Sequence, residues 1–183
     1  MNRTRNCADI RPLAEALPRA DEEVEAGRFG TVLPRSRGFT IIAKVIPGRE
    51  DVVRAYGKTV EKLIKEQPQA LAPLALHFLR WATYKEGDTT WFLYIGFFDT
   101  DFDKYVEDAV LLFKQAGLNT IFEQLEGFPV DWKENPASFA RFAREHAAQP
   151  FMEYAEYPDA TGVEVVKALK VKCALSTMLD QMQ

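Results

Sequence analysis

The sequence predicts an α+β domain built on one antiparallel sheet that is covered on both faces. Three observations carry this. Residues 74–98 read as two apolar runs around a Lys85-Glu86-Gly87-Asp88 turn. The second run, 90–98, is aromatic and β-branched, as strands prefer, and neither of its faces is polar. Apolar residues at helical spacing flank this hairpin on either side, over 49–65 and 102–116.

Successive strand side chains point to opposite faces. Trp91, Leu93, Ile95 and Phe97 therefore share one face, and Thr90, Phe92, Tyr94, Gly96 and Phe98 share the other. A sheet with one wet face would alternate apolar with polar. Each fully buried large apolar side chain is worth roughly 1.5–3 kcal/mol, and leaving Phe92 and Phe98 in water would forfeit much of that. Helices, a second subunit or a ligand must cover the second face.

The 183 residues suffice for one domain with a full core, and 47% hydrophobic with 27% charged residues is ordinary for a globular chain. The net charge of −4 offers no basic footprint for nucleic acid. No apolar run reaches the roughly 20 residues that span a bilayer, and the N-terminus lacks the apolar segment of a secretory signal. With only Cys7 and Cys173, reduced thiols in a cytoplasmic protein are expected over a disulfide between them.

Residues 1–37 read as an N-terminal arm broken by Pro12, Pro18 and Pro34, packed on the domain or crossing to a partner subunit. Residues 38–183 form the domain. Phe39–Ile46 is its first strand and Pro47-Gly48 ends it; the helix of 49–65 follows, with Val53, Tyr56, Val60, Leu63 and Ile64 on one side. After the hairpin, Thr100 and Asp103 fit a capping box for the helix through Ala116, whose stripe is Phe102, Tyr105, Val106, Ala109, Leu112, Phe113 and Ala116. A short helical piece is expected over 120–126. A helical insertion spans about 130–148, with its helix over 136–147 and Phe139, Phe142 and Ala143 inward. A last short strand is expected over 151–157, and a C-terminal helix over about 161–180.

Strand, helix, strand, strand, helix, extra helix, strand, helix is the order of a ferredoxin-like βαββαβ unit with one insertion and two extensions. Helices cover one face of such a sheet, and two sheets packed face to face would cover the other, which gives a homodimer of the dimeric α/β-barrel kind. The runs His77-Phe78-Leu79-Arg80-Trp81, Trp91–Asp99 and Tyr105-Val106-Glu107-Asp108, with the turn Tyr157-Pro158-Asp159, resemble a group of uncharacterised bacterial proteins in the dimeric α/β-barrel superfamily. The resemblance covers about half the chain. It implies a small-molecule cavity between sheet and helices or inside the barrel. Its wider relatives include antibiotic-biosynthesis-type monooxygenases, haem-binding enzymes and small isomerases, so fold implies no one reaction.

Candidate site residues follow from the faces. If the polar-containing faces pair, Thr40, Lys44, Arg80 and Tyr94 line one side with Phe92, while Trp91, Leu93 and Ile95 face the helices. Two cations and a phenol in an apolar cavity suit a carboxylate or another small anion, with Arg80 giving bidentate contact; an interface salt bridge is the structural alternative. His77 falls on the opposite face from Arg80 unless a bulge intervenes, beside Leu79 and Trp81. It is a candidate base or haem ligand, although a lone His in an apolar strand is more often a hydrogen-bonded core residue. With two His in the chain and no Cys/His spacing, no metal site is expected. Asp99-Thr100-Asp101-Phe102-Asp103 imitates the start of a calcium loop, but Lys104 stands where Gly is needed and Val110 where Glu is needed.

The functional expectation is a cytoplasmic small-molecule-binding protein, or a cofactor-independent oxygenase or isomerase in which Arg80 and Tyr94 polarise a carboxylate or enolate and His77 is the base. The rival readings are a non-catalytic accessory dimer and a haem-binding protein.

Overall fold

The computed structural model describes residues 37–182 apart from Leu118, Ala155, Pro158 and Asp159. The expected arm lies outside those residues, save Arg37. In chain order the elements are β1 (Arg37–Lys44), α1 (Glu50–Glu66), β2 (Leu76–Glu86), β3 (Thr89–Phe98), α2 (Phe102–Gln115), α3 (Pro136–Glu145), β4 (Ala147–Ala148) and α4 (Gly162–Gln181), with short 3-10 helices at Ala72–Leu74 and Ile121–Gln124. The fold is α+β. Its four-stranded sheet runs β2-β3-β1-β4, and every neighbouring pair is antiparallel. No described helix is long and apolar enough to cross a membrane.

Local chemistry sets most boundaries. Glu86 pairs with Thr89 across a two-residue loop, and Gly87 takes the positive φ of 57° that the first position of such a loop requires. Asp101, rather than the expected Thr100, caps α2: its Oδ1 accepts the Lys104 N–H at 2.8 Å. The Thr100 hydroxyl is buried without a partner. Pro136 opens α3, where its missing N–H costs nothing. Thr161 and Glu164 form a reciprocal capping box on α4.

The register decides which sheet face meets the helices, and it reverses the expectation. Arg80 pairs with Ile95 and Trp81 with Tyr94; Ile41 also pairs with Tyr94, and Thr40 with Ile95. The set Thr90, Phe92, Tyr94, Gly96 and Phe98 is therefore the buried one, joined by Ile41 and Ala43 of β1. Phe92 and Tyr94 pack on Phe122, and Phe98 stacks on Tyr105 of α2. Phe122 in turn meets Phe139 of α3. This one core contains every fully enclosed large side chain among the described residues. The Trp91, Leu93, Ile95 and Phe97 set lies on the open face and is half-buried. Phe78 and Tyr84 beside it are 41% and 46% exposed.

The last strand is also not where the pattern places it. The described residues of 151–157 form no strand, and Phe151, Met152, Tyr154 and Tyr157 are exposed. β4 forms instead directly after α3, which ends at Glu145 rather than at Ala147. Ala147 and Ala148 pair with Ile41 and Thr40, and the Ile42 N–H bonds the His146 carbonyl at 2.9 Å. Pro150 prevents the strand from continuing, since it has no N–H to give the ladder. The terminal helix follows as expected, but none of its residues is buried. Cys173 on this helix is disulfide-bonded, against the expectation of reduced thiols. The cysteine argument for a cytoplasmic chain falls with it.

Candidate functional site

Between the helical face of the sheet and α1 and α2 lies a cavity of about 420 Å³. Phe39, Leu76, Leu79, Trp81 and Tyr94 form its floor from β1, β2 and β3. Tyr56, Val60 and Leu63 of α1 cover it on one side, and Tyr105, Val106, Ala109, Leu112 and Phe113 of α2 on another. Leu71 and Leu74, the Thr120-Ile121-Phe122 segment, and Phe139 with Ala143 of α3 close the ends. Among the described residues that line it there is no Asp, Glu, Lys, Arg or His. The cavity exists because α1 stands off from the sheet: of its residues only Val53 is buried.

Three phenols, an indole, a hydroxyl and Gln67 at the end of α1 supply the polarity. The Tyr56 hydroxyl donates to the Asn119 carbonyl at 2.8 Å, so its proton is committed. Burial and the nearby Glu123 carboxylate push this phenol up to about 12. Thr120 spends its oxygen on the Phe122 N–H. Tyr94 and Tyr105 meet hydroxyl to hydroxyl at 2.5 Å in the core, 3% and 7% exposed. Burial pushes Tyr105 up to about 12. It also raises Tyr94 well above the ordinary phenol range, with the Tyr105 hydroxyl adding to the effect. Both therefore keep their protons at neutral pH and act as hydrogen-bonding groups, not as bases. The Trp81 indole N–H is buried and has no partner.

Gly96 makes the tyrosine pair possible. A Cβ there would fall 2.6 Å from Tyr94 Cε1 and 2.7 Å from its hydroxyl oxygen. Only a glycine lets the Tyr94 ring lie along its own strand and reach Tyr105. Phe39 then stacks on the other side of the ring, centroids 5.0 Å apart.

The sequence-derived candidates divide between two places. Tyr94 lines the cavity; Phe92 shares its face but does not line it. Lys44 and Arg80 share the open face with Thr40, as expected of those three, but not with Tyr94, because Arg80 and Thr40 pair with Ile95 and Lys44 with Trp91. There the Lys44 ammonium lies 5.4 Å from the Trp91 ring centre and the Arg80 guanidinium 5.2 Å from that of Phe78. Each cation stands over an aromatic face.

His77 sits at a bulge between Leu76 and Phe78. Its Nε2 meets Asp99 Oδ1 in a short contact. The Gly162 N–H donates to Asp99 Oδ2 at 2.8 Å and lies 2.9 Å from His77 Nε2. A nitrogen that donates to the carboxylate cannot also accept, so the consistent arrangement has His77 and Gly162 both donating to Asp99. The carboxylate ties the start of β2 and the end of β3 to the N-terminus of α4, where the helix dipole favours a negative charge. His77 does not line the cavity. Among the described residues, no group of three or more His, Cys, Asp or Glu could hold a metal.

Sequence reasoning missed Trp81, Tyr105 and Asp99 as members of a site. The available signal was Tyr105 itself, a phenol in an otherwise apolar helix stripe, since a buried hydroxyl needs a partner. No family model, no curated protein and no solved structure matches this chain.

Proposed function

We propose that this chain is a small-molecule-binding protein whose ligand occupies the cavity between the sheet and helices α1 and α2. The carrying observation is that cavity itself: about 420 Å³, mostly apolar, with no charged residue among the described lining residues. Its size falls in the range of ligand pockets. An apolar cavity of about 150 Å³ accepts benzene, and by that proportion this one suits roughly 17 non-hydrogen atoms. The ligand class is uncharged and largely apolar. An anion would have to leave Lys44 and Arg80 on the other face and enter without a counter-charge, at a cost of several kcal/mol.

Binding is favoured over catalysis by the same lining. Oxygenation or isomerisation through an enolate needs a base at the reacting carbon; the described lining residues include no carboxylate, imidazole or amine, and Tyr94 and Tyr105 hold their protons.

The strand order β2-β3-β1-β4, with α1 joining β1 to β2 and α2 and α3 between β3 and β4, supports the ferredoxin-like reading of the fold. The apolar row Trp91, Leu93, Ile95 and Phe97 on the open face supports a homodimer through that face, and light scattering on wild type and Leu93→Asp tests it: a wild-type dimer that the substitution dissociates is the expected pair of results.

N-phenylnaphthylamine, an uncharged apolar fluorophore that brightens on leaving water, tests the binding reading. It should bind the wild-type protein saturably. Ala109→Phe, which fills the cavity from α2, should abolish binding, while Arg80→Ala on the open face should leave it intact. No saturable binding, or binding indifferent to Ala109→Phe, overturns the proposal.

A further inference from the structure

The cavity holds more hydrogen-bond donors than the protein has acceptors for. Two phenols meeting hydroxyl to hydroxyl carry two protons between them, and only one can lie in the shared hydrogen bond. The hydroxyl that accepts still has its own O–H to give. Neither Tyr94 nor Tyr105 has another side-chain partner among the described residues. Both are deep in the core, where a donor without an acceptor costs about 1–3 kcal/mol. The Trp81 indole N–H is a second donor in the same position. Trp81 and Tyr94 are register partners on neighbouring strands and both line the cavity, as Tyr105 does from α2. Gly96, which admits the Tyr94 ring to this arrangement, shows that the placement of the hydroxyl is built into the sheet.

Resting on the cavity reading above, we infer that the ligand class is narrower than apolar molecules in general: it is an uncharged molecule carrying a carbonyl-type oxygen, which accepts the spare proton of the Tyr94–Tyr105 pair, with the Trp81 indole N–H as the second donor. A ketone, aldehyde, ester or quinone brings acceptors alone.

Two fluorophores of similar size separate this from the broader reading. N-phenylnaphthylamine has no carbonyl; Prodan, an aminonaphthalene ketone, has one, and its emission shifts to the red when the carbonyl receives a hydrogen bond. The wild type should bind Prodan with red-shifted emission relative to an alkane. The double variant Tyr94→Phe/Tyr105→Phe keeps both rings and removes both hydroxyls. It should bind Prodan about tenfold more weakly, with the emission moved to the blue, the loss of one hydrogen bond to a neutral acceptor. Its affinity for N-phenylnaphthylamine should be unchanged. If the ketone binds in the wild type with alkane-like emission, or the double variant keeps the full preference, the inference fails while the cavity reading stands. If neither probe binds the wild type, both fail. Should the double variant not fold, the wild-type emission decides alone.

Discussion

Removing one hydroxyl of the Tyr94–Tyr105 pair is expected to cost more than removing both. The two oxygens lie 2.5 Å apart inside the core, and the rings are held by Phe39 and Phe98 whether or not they carry hydroxyls. Tyr105→Phe leaves the Tyr94 hydroxyl buried with no protein partner, as Tyr94→Phe does to Tyr105. Each single substitution should therefore destabilise by about 1–3 kcal/mol, the penalty for stranding a buried polar group. The double substitution strands nothing and preserves the ring packing, so its cost should be roughly 0–1 kcal/mol. The coupling between the two positions then exceeds about 1 kcal/mol, as contacting polar pairs show in double-mutant cycles. Urea unfolding of the four proteins by far-UV circular dichroism measures it, provided the slopes agree. In thermal melts each single variant should lose about 2–4 °C per kcal/mol for a chain of this length. Additive costs, or single substitutions without effect, would refute the reasoning, because the hydroxyls would then not be each other's partners in solution.

Gly96→Ala should destabilise by about 1–3 kcal/mol through overpacking and weaken Prodan binding, since the new methyl group occupies space the Tyr94 ring uses; unfolding and titration of the same sample check it. Asp99→Ala should speed amide hydrogen exchange at the start of α4 while leaving β1 and β3 protected, because the Gly162 N–H and the His77 ring lose their common acceptor. Stability should fall as pH rises above about 10: Tyr105 and Tyr94 have folded-state pKa values raised by burial, so the folded chain holds their protons more tightly than the unfolded chain. The contribution is whole below the unfolded value near 10 and is lost through about 12 and beyond. Unfolding at stepped alkaline pH, with the double phenylalanine variant as a flatter control, measures it.

The hairpin and α2 were legible because each repeats its period over ten or more residues and ends in strong punctuation. Gly87 marks the turn and the acids of 99–103 mark the helix start. The face of β3 that meets the helices was not legible, because both of its faces are apolar and only the pairing register distinguishes them. Pairing Arg80 with Ile95 rather than with Tyr94 is a shift of one residue, and it exchanges every side chain between the faces. That one shift separated Lys44 and Arg80 from Tyr94. β4 was misplaced for a different reason. Two alanines carry no periodic signal, and their pairing with Thr40 and Ile41 is fixed by where α3 delivers the chain. The aromatic run at 151–157 supplies strand-like residues, yet its described residues form no strand. The tyrosine pair is a long-range fact of the same kind: Tyr105 fits its helix stripe as well as a phenylalanine would, and its purpose appears only when Tyr94 lies opposite.

The single buried residue of α1 has a kinetic meaning. A helix that rests over a cavity shares little of the core's cooperativity, so it forms a unit that opens at lower free energy than the strands beneath it. On the proposed binding reading the doorway is then a helix. Entry at high ligand concentration would be paced by the breathing of α1, and its rate would level off instead of rising without limit. A molecule bound there, by giving Tyr56, Val60 and Leu63 something to lie on, would slow the same breathing that let it in, so residence time would lengthen with the snugness of the fit.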